Sequence, residues 1–97
     1  MPFEWDYDKD IDNREKHGLS FDEATELFTS GIDFLEIHDQ EHSADEDRFV
    51  AIGPTRRGLI VVIFTEREND VIRLVSARKA TKGEVELFRK YSEGIHE

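Results

Sequence analysis

Apolar and polar positions alternate, bunch and thin out along the chain in a way that separates strands from helices. Phe3-Glu4-Trp5 alternates with period two, the pattern of a short strand. Asp6 stands where a helix cap belongs, and the spacing predicts a helix over 7–16 stopped by Gly18. Its apolar face is thin, little more than Tyr7 and Ile11, whereas Lys9, Asn13, Lys16 and His17 share one polar face. Ser20-Phe21-Asp22-Glu23 fits a capping box and opens a second helix to about residue 29, with Phe21, Ala24, Leu27 and Phe28 as its buried stripe and Gly31 as its stop. Residues 33–38 read as a strand, 39–47 as a polar loop and 48–52 as a second strand, in which Phe49, Ala51 and Gly53 alternate with Val50 and Ile52. A turn at 53–58 leads into 59–65, the most apolar segment and so the central strand. Residues 66–70 turn the chain and 71–76 bring it back. Thr81-Lys82-Gly83-Glu84 is another capping box, opening a last helix that carries Val85, Phe88 and Tyr91. The order β-α-α-β-β-β-β-α predicts an α+β fold: an antiparallel β-sheet meander with two N-terminal helices and one C-terminal helix packed on it.

Length adds that the 97 residues make one domain, 1–97. The absence of cysteine excludes a disulfide framework and a thiolate metal site. The longest apolar run, 59–64, falls far short of the roughly 18 residues that cross a bilayer. The acidic N-terminus is unlike a signal or transit peptide, so the expectation is a cytoplasmic protein without membrane attachment.

Charge changes the picture more. The formal net charge is −10, but residues 1–50 carry −12 and residues 51–97 carry +2. The bases concentrate in Arg56, Arg57, Arg67, Arg73, Arg78, Lys79 and Lys82. A protein of this sign repels polyanions as a whole, which excludes a general nucleic-acid coat. A basic strip within it can still hold a phosphate, because charges beyond about 8–10 Å are largely screened. The acidic excess either keeps the chain soluble or attracts a basic partner.

No zincin helix pair, phosphate-binding glycine loop or nucleophile elbow is present. His38 and His42, with Asp39, Glu41 and Asp45, lie in a polar segment that reads as a solvated loop, so no metal site is expected. His17 suits acid–base work near neutrality, or is a helix-terminal His that favours the negative end of the dipole. Arg73 interrupts an apolar strand face. In an ideal strand it lies with Val71, Val75 and Ala77, while Ile72, Leu74, Ser76 and Arg78 share the other side. It either pairs with one of the many acids or aims its guanidinium fork at a phosphate. Arg67 falls in a hairpin turn, where a solvated side chain is equally natural.

Taken together these residues resemble a known family. Trp5-Asp6, Lys9, Asn13, Lys16-His17-Gly18, Phe21 and Glu23-Ala24 match the opening of BrnT-type toxins. His42-Ser43, Glu46, Arg48-Phe49, Ile52-Gly53, Val61-Val62, Phe64-Thr65-Glu66-Arg67, Ile72-Arg73, Val75-Ser76-Ala77-Arg78 and Ala80-Thr81 continue the match in order, over nearly the whole chain. The resemblance implies a RelE-like α+β ribonuclease toxin of a type II toxin–antitoxin pair that cuts RNA and blocks translation and growth. It implies a BrnA partner, a ribbon-helix-helix antitoxin, through which alone the toxin reaches operator DNA.

Metal-independent RNA cleavage needs a base for the 2′-hydroxyl, a cation for the phosphoryl oxygens and an acid for the leaving 5′ oxygen, and it needs no cofactor. On that scheme Arg73 and Arg78 bind the phosphate and Ser76 donates to it or orients it. His17 is the acid–base candidate, and Lys9 and Lys16 hold the substrate from the same helical face. Arg67 is an outer contact and Glu66 an alternative base. Trp5, Phe21, Ala24, Phe49, Val62 and Phe64 are read as core, and Gly18, Gly53 and Gly58 as turn glycines. The acidic surface also fits a competing expectation, a catalytically silent binding module that is only the co-repressor half of such a pair.

Overall fold

The computed structural model describes residues 1–42 and 46–95. In chain order its elements are β1 (Phe3–Glu4), α1 (Tyr7–His17), α2 (Phe21–Ala24), α3 (Glu26–Thr29), β2 (Leu35–Asp39), a 3-10 turn (Gln40–His42), β3 (Arg48–Thr55), β4 (Gly58–Arg67), a second 3-10 turn (Glu68–Asp70), β5 (Val71–Lys79) and α4 (Lys82–Ile95). The five strands form one sheet in the order β1-β5-β4-β3-β2. The expected α+β architecture is present, with one correction. β2 to β5 are an antiparallel meander, but β1 joins the edge of β5 in parallel, pairing Phe3 with Ile72 and Glu4 with Arg73, so the sheet is mixed. A parallel neighbour requires a crossover. Here everything from α1 to β4 lies between the two strands, a separation that local sequence pattern does not signal.

The caps act as their sequences indicate. The Asp6 carboxylate accepts from the Asp8 and Lys9 amides at 2.9 and 3.2 Å, and Gly18 closes α1 in the left-handed region at φ 67°. Both halves of the Ser20/Glu23 capping box are formed. The second predicted helix is divided at Thr25 into α2 and α3.

α1 departs from the usual amphipathic plan. Tyr7 is exposed, and the residues that α1 buries are Asp10 and Asn13. Asp10 Oδ1 accepts from the Phe21 amide at 2.8 Å. The Asn13 side chain donates to the carbonyls of Leu19 and Ala77, both at 2.8 Å, and accepts from the Ala77 amide at 3.1 Å. The helix is docked by hydrogen bonds where its apolar stripe is too thin to dock it.

One face of the sheet packs beneath α1, α2 and α3. Phe21, Ala24 and Leu27 meet Ala51 of β3, Ile60, Val62 and Phe64 of β4, and Ile72, Leu74 and Ala77 of β5. Phe28 gathers the rings of Phe3, Phe34 and Phe64 at centroid distances of 5.6, 5.3 and 5.1 Å. Gly53 is a second correction. It lies buried inside β3, not in a turn, and a Cβ there would stand 2.7 Å from Phe34 Cβ. Its lack of a side chain admits the close approach of Phe34 Cβ.

A bulge in β5 redirects its second half. Ile63 pairs with Ser76 but Phe64 pairs with Leu74, which leaves Val75 as the extra residue. The ideal alternation expected from the sequence therefore fails. Leu74 and Ala77 both face the helices, and Ser76 and Arg78 move to the side of Arg73.

Candidate active site

On the sheet face away from α1, register builds a polar row across all five strands. Asp39 of β2 pairs with Arg48 of β3, Arg48 with Thr65 of β4, Thr65 with Arg73 of β5, and Arg73 with Glu4 of β1. Directly paired residues point to the same side of a sheet, so acid, cation, hydroxyl, cation and acid stand in line. Ser76 and Arg78 lie further along β5 on the same side, opposite Ile63 and Val61.

The cations are held by carboxylates. Glu4 Oε1 stands 3.2 Å from Arg67 Nε and 3.6 Å from Arg73 Nη1, and Glu46 Oε2 stands 3.6 Å from Arg67 Nη1. Arg67, Glu4, Glu46, Glu66, Glu68 and Val71 line an open cleft of about 470 Å³. The side chains of Arg67 and Arg73 remain 47% and 34% exposed, within reach of a ligand. The Thr65 hydroxyl between Arg48 and Arg73 is buried and has no hydrogen-bond partner among the described residues.

Arg78 sits differently. Its two terminal nitrogens make a fork to Glu84 Oε1 and Oε2 at 2.7 and 2.8 Å, and Glu84 closes the capping box of α4 by accepting from the Thr81 amide at 2.8 Å. The Arg78 hydrogen bond, ahead of the Thr81 bonds, pulls the Glu84 carboxyl down to about 2 despite partial burial. The pair clamps α4 to β5. A carboxyl depressed in the folded state contributes stability above its ordinary value of 4.5, and that contribution disappears as the pH falls to about 2. Screening at this partly exposed pair limits the contribution to about 1–2 kcal/mol. Glu84→Gln is expected to lower stability by that amount at pH 7 and to match the wild type near pH 2, read from denaturant melts at the two pH values.

His17, Lys16 and Lys9 are exposed on α1, and their side chains make no hydrogen bond or ion pair among the described residues. The structure does not bring His17 to Arg73. The Gly18 carbonyl next to it accepts from Arg57 Nη2 at 2.8 Å, which ties that end of α1 to the β3–β4 turn. Thr65, opposite Arg73, lies seven residues along β4 from Gly58, about 23 Å at the usual strand rise. Arg73, Ser76, Arg78 and Arg67 thus gather on the sheet, with Lys9, Lys16 and His17 apart on the helix. Glu66 pairs with Ile72, which faces the helices, so it points away from Arg73. In the polar segment, His38 Nε2 contacts Asp47 Oδ1 at 3.1 Å and its ring packs 5.3 Å from Phe49. Asp45, Ser43 and the His42 side chain lie outside the described residues.

Glu4 and Arg48 are the site residues that sequence reasoning missed. The alternation Phe3-Glu4-Trp5 does set Glu4 opposite two core aromatics, but only strand pairing places it beside Arg73.

A family model described as "Ribonuclease toxin, BrnT, of type II toxin-antitoxin system" matches residues 5–84. The chain belongs to this BrnT family, and the type II class implies an antitoxin partner. Among solved structures it is similar to the ribonuclease toxin BrnT of Brucella abortus, with 31% identity and a TM-score of 0.67, over 84% of this chain and 99% of that one. A comparison with curated proteins finds no match. No helix among the described residues is long and apolar enough to cross a membrane.

Proposed function

We propose that the protein is a metal-independent endoribonuclease of the cytoplasm that cuts RNA on the Arg73 face and thereby blocks translation and growth. A BrnA-like ribbon-helix-helix antitoxin neutralises it and carries the pair to operator DNA. The observation that carries this reading is the gathering of Arg67, Arg73 and Ser76 on one side of the sheet, with Arg48 in the same row. Arg73 and Arg67 take the phosphoryl oxygens, and the Ser76 hydroxyl donates to or orients the phosphate. Arg78 reaches the phosphate only through release from Glu84; in the clamped state it fixes the strand that carries Arg73 and Ser76. Lys9, Lys16 and His17 hold flanking RNA along α1.

One observation favours a second reading. Arg67, Arg73 and Arg78 are each ion-paired to a glutamate of the same chain, as in a silent co-repressor component that acts only through its partner. Induction of this chain alone, beside Arg73→Ala, with total RNA run on a gel, separates the two. Growth arrest and RNA loss with the wild type only are the expected results. A soluble, folded wild type that leaves growth and RNA intact selects the co-repressor.

A further inference from the structure

Cleavage needs a group that takes the 2′-hydroxyl proton next to the phosphate held by Arg73. His17 stands toward the other end of the sheet, and Glu66, at the rim of the cleft, pairs with Ile72 and not with Arg73. Glu4 meets the requirement. Its parallel pairing with Arg73 puts both side chains on the same side of neighbouring strands, and its Oε1 contacts both Arg73 and Arg67. β1 is only two residues long, and its other residue, Phe3, packs against the core. The Ile72 amide donates to the Pro2 carbonyl at 2.9 Å, so the strand is fixed on both sides of Phe3. A segment this short, anchored so firmly, delivers one carboxylate to the arginine face.

Resting on the ribonuclease reading above, we propose that Glu4 is the general base of the cleavage reaction. Arg73 and Arg67 transfer their contacts from the Glu4 carboxylate to the phosphate of the bound RNA, leaving that carboxylate beside the adjacent ribose. The 2′-hydroxyl proton passes to Glu4, and the 2′-oxygen forms a bond to phosphorus. The bond from phosphorus to the 5′-oxygen breaks, and the leaving oxygen takes a proton from water. The products are a 2′,3′-cyclic phosphate and a 5′-hydroxyl, and Glu4 returns its proton to solvent. A carboxylate is a weak base, but at neutral pH it is wholly in the reactive form, and the two guanidiniums stabilise the charge that its proton transfer creates on phosphorus. The charged groups facing Glu4 are Arg73 on β5 and Arg67 at the end of β4; Glu46, ahead of β3, pairs with Arg67, and Glu66 and Glu68 complete the cleft.

The test is cleavage of a fluorescently labelled single-stranded RNA by the purified chain and by Glu4→Gln, Glu4→Asp and Arg73→Ala. Glu4→Gln keeps the shape but not the charge, and kcat is expected to fall by about 10²–10⁴-fold with KM unchanged or lower. Glu4→Asp retains part of the rate. The wild-type pH profile is a readout independent of any variant. Activity that persists below pH 6 fits a carboxylate base, whereas activity falling near the ordinary imidazole value of about 6.5 overturns the proposal. A folded Glu4→Gln chain with wild-type kcat also overturns it. If Arg73→Ala is inactive in that case, the site stands and its base lies elsewhere. A wild type that does not cut RNA overturns both the base and the ribonuclease reading.

Discussion

Asn13→Ala is expected to destabilise the fold by about 3 kcal/mol, measured by denaturant melting. The reason lies at the edge of the sheet. β1 covers β5 only at Ile72 and Arg73, so among the described residues the strand beyond has no neighbouring strand on that side. Ala77 is fully buried there. The Asn13 amide takes the place of a strand, donating to the Ala77 carbonyl and accepting from its amide, while its second N–H reaches the Leu19 carbonyl. Removing it orphans three backbone groups in a place where water enters poorly, at about 1–3 kcal/mol each; partial solvation keeps the total toward the lower end. Asn13→Asp separates this account from a loss of packing. The carboxylate accepts from the Ala77 amide but meets two carbonyl oxygens with no proton to offer. It is therefore expected to be at least as destabilising as Ala at pH 7, and to recover partly as the pH falls and the acid gains a donor. Lys16→Ala, on the exposed side of α1, is expected to change stability by less than about 0.5 kcal/mol.

The same residue marks the limit of what could be read along the chain. Spacing grouped Asn13 with Lys9, Lys16 and His17 as one polar face, and a polar face is ordinarily solvated. Only the contact with Ala77, sixty-four residues away, reveals that one member is buried while the other three remain in water. Signals that act within a few residues were legible: the Asp6 cap, both capping boxes, the apolar run of β4 and the meander around it. Signals that depend on pairing between distant segments were not. The bulge at Val75 is one, since a strictly alternating strand puts Arg73 and Ser76 on opposite sides and the register shift reunites them. Gly53 is another, read as a turn because of Pro54 beside it, yet required inside β3 by the approach of Phe34. The candidate site falls on the same divide. Arg73, Ser76 and Arg67 stood out by residue type. Glu4 did not, because its role comes from a parallel partner with nearly the whole fold in between.

Arg73→Ala is expected to lower RNA cleavage by at least about 100-fold without unfolding the protein. A guanidinium that meets a phosphoryl group with two charge-assisted hydrogen bonds contributes about 3 kcal/mol or more where charge builds in the transition state, and each 1.36 kcal/mol is tenfold in rate. The fold is expected to tolerate the change. Arg73 is one-third exposed, and its ion-pair partner among the described residues, Glu4, keeps a second cation in Arg67 at 3.2 Å, so no isolated charge is left behind. The melting midpoint should therefore move little while activity is lost, the opposite of Asn13→Ala. Arg73→Lys refines the assignment. Lysine keeps the charge but presents a point where arginine presents a planar fork. A phosphate held bidentately loses most of the rate with lysine, and a phosphate attracted only by field loses little. Loss with both substitutions, at unchanged stability, identifies the fork of Arg73 as the group on the scissile phosphate; full activity with Ala in a folded chain moves the site off this face of the sheet.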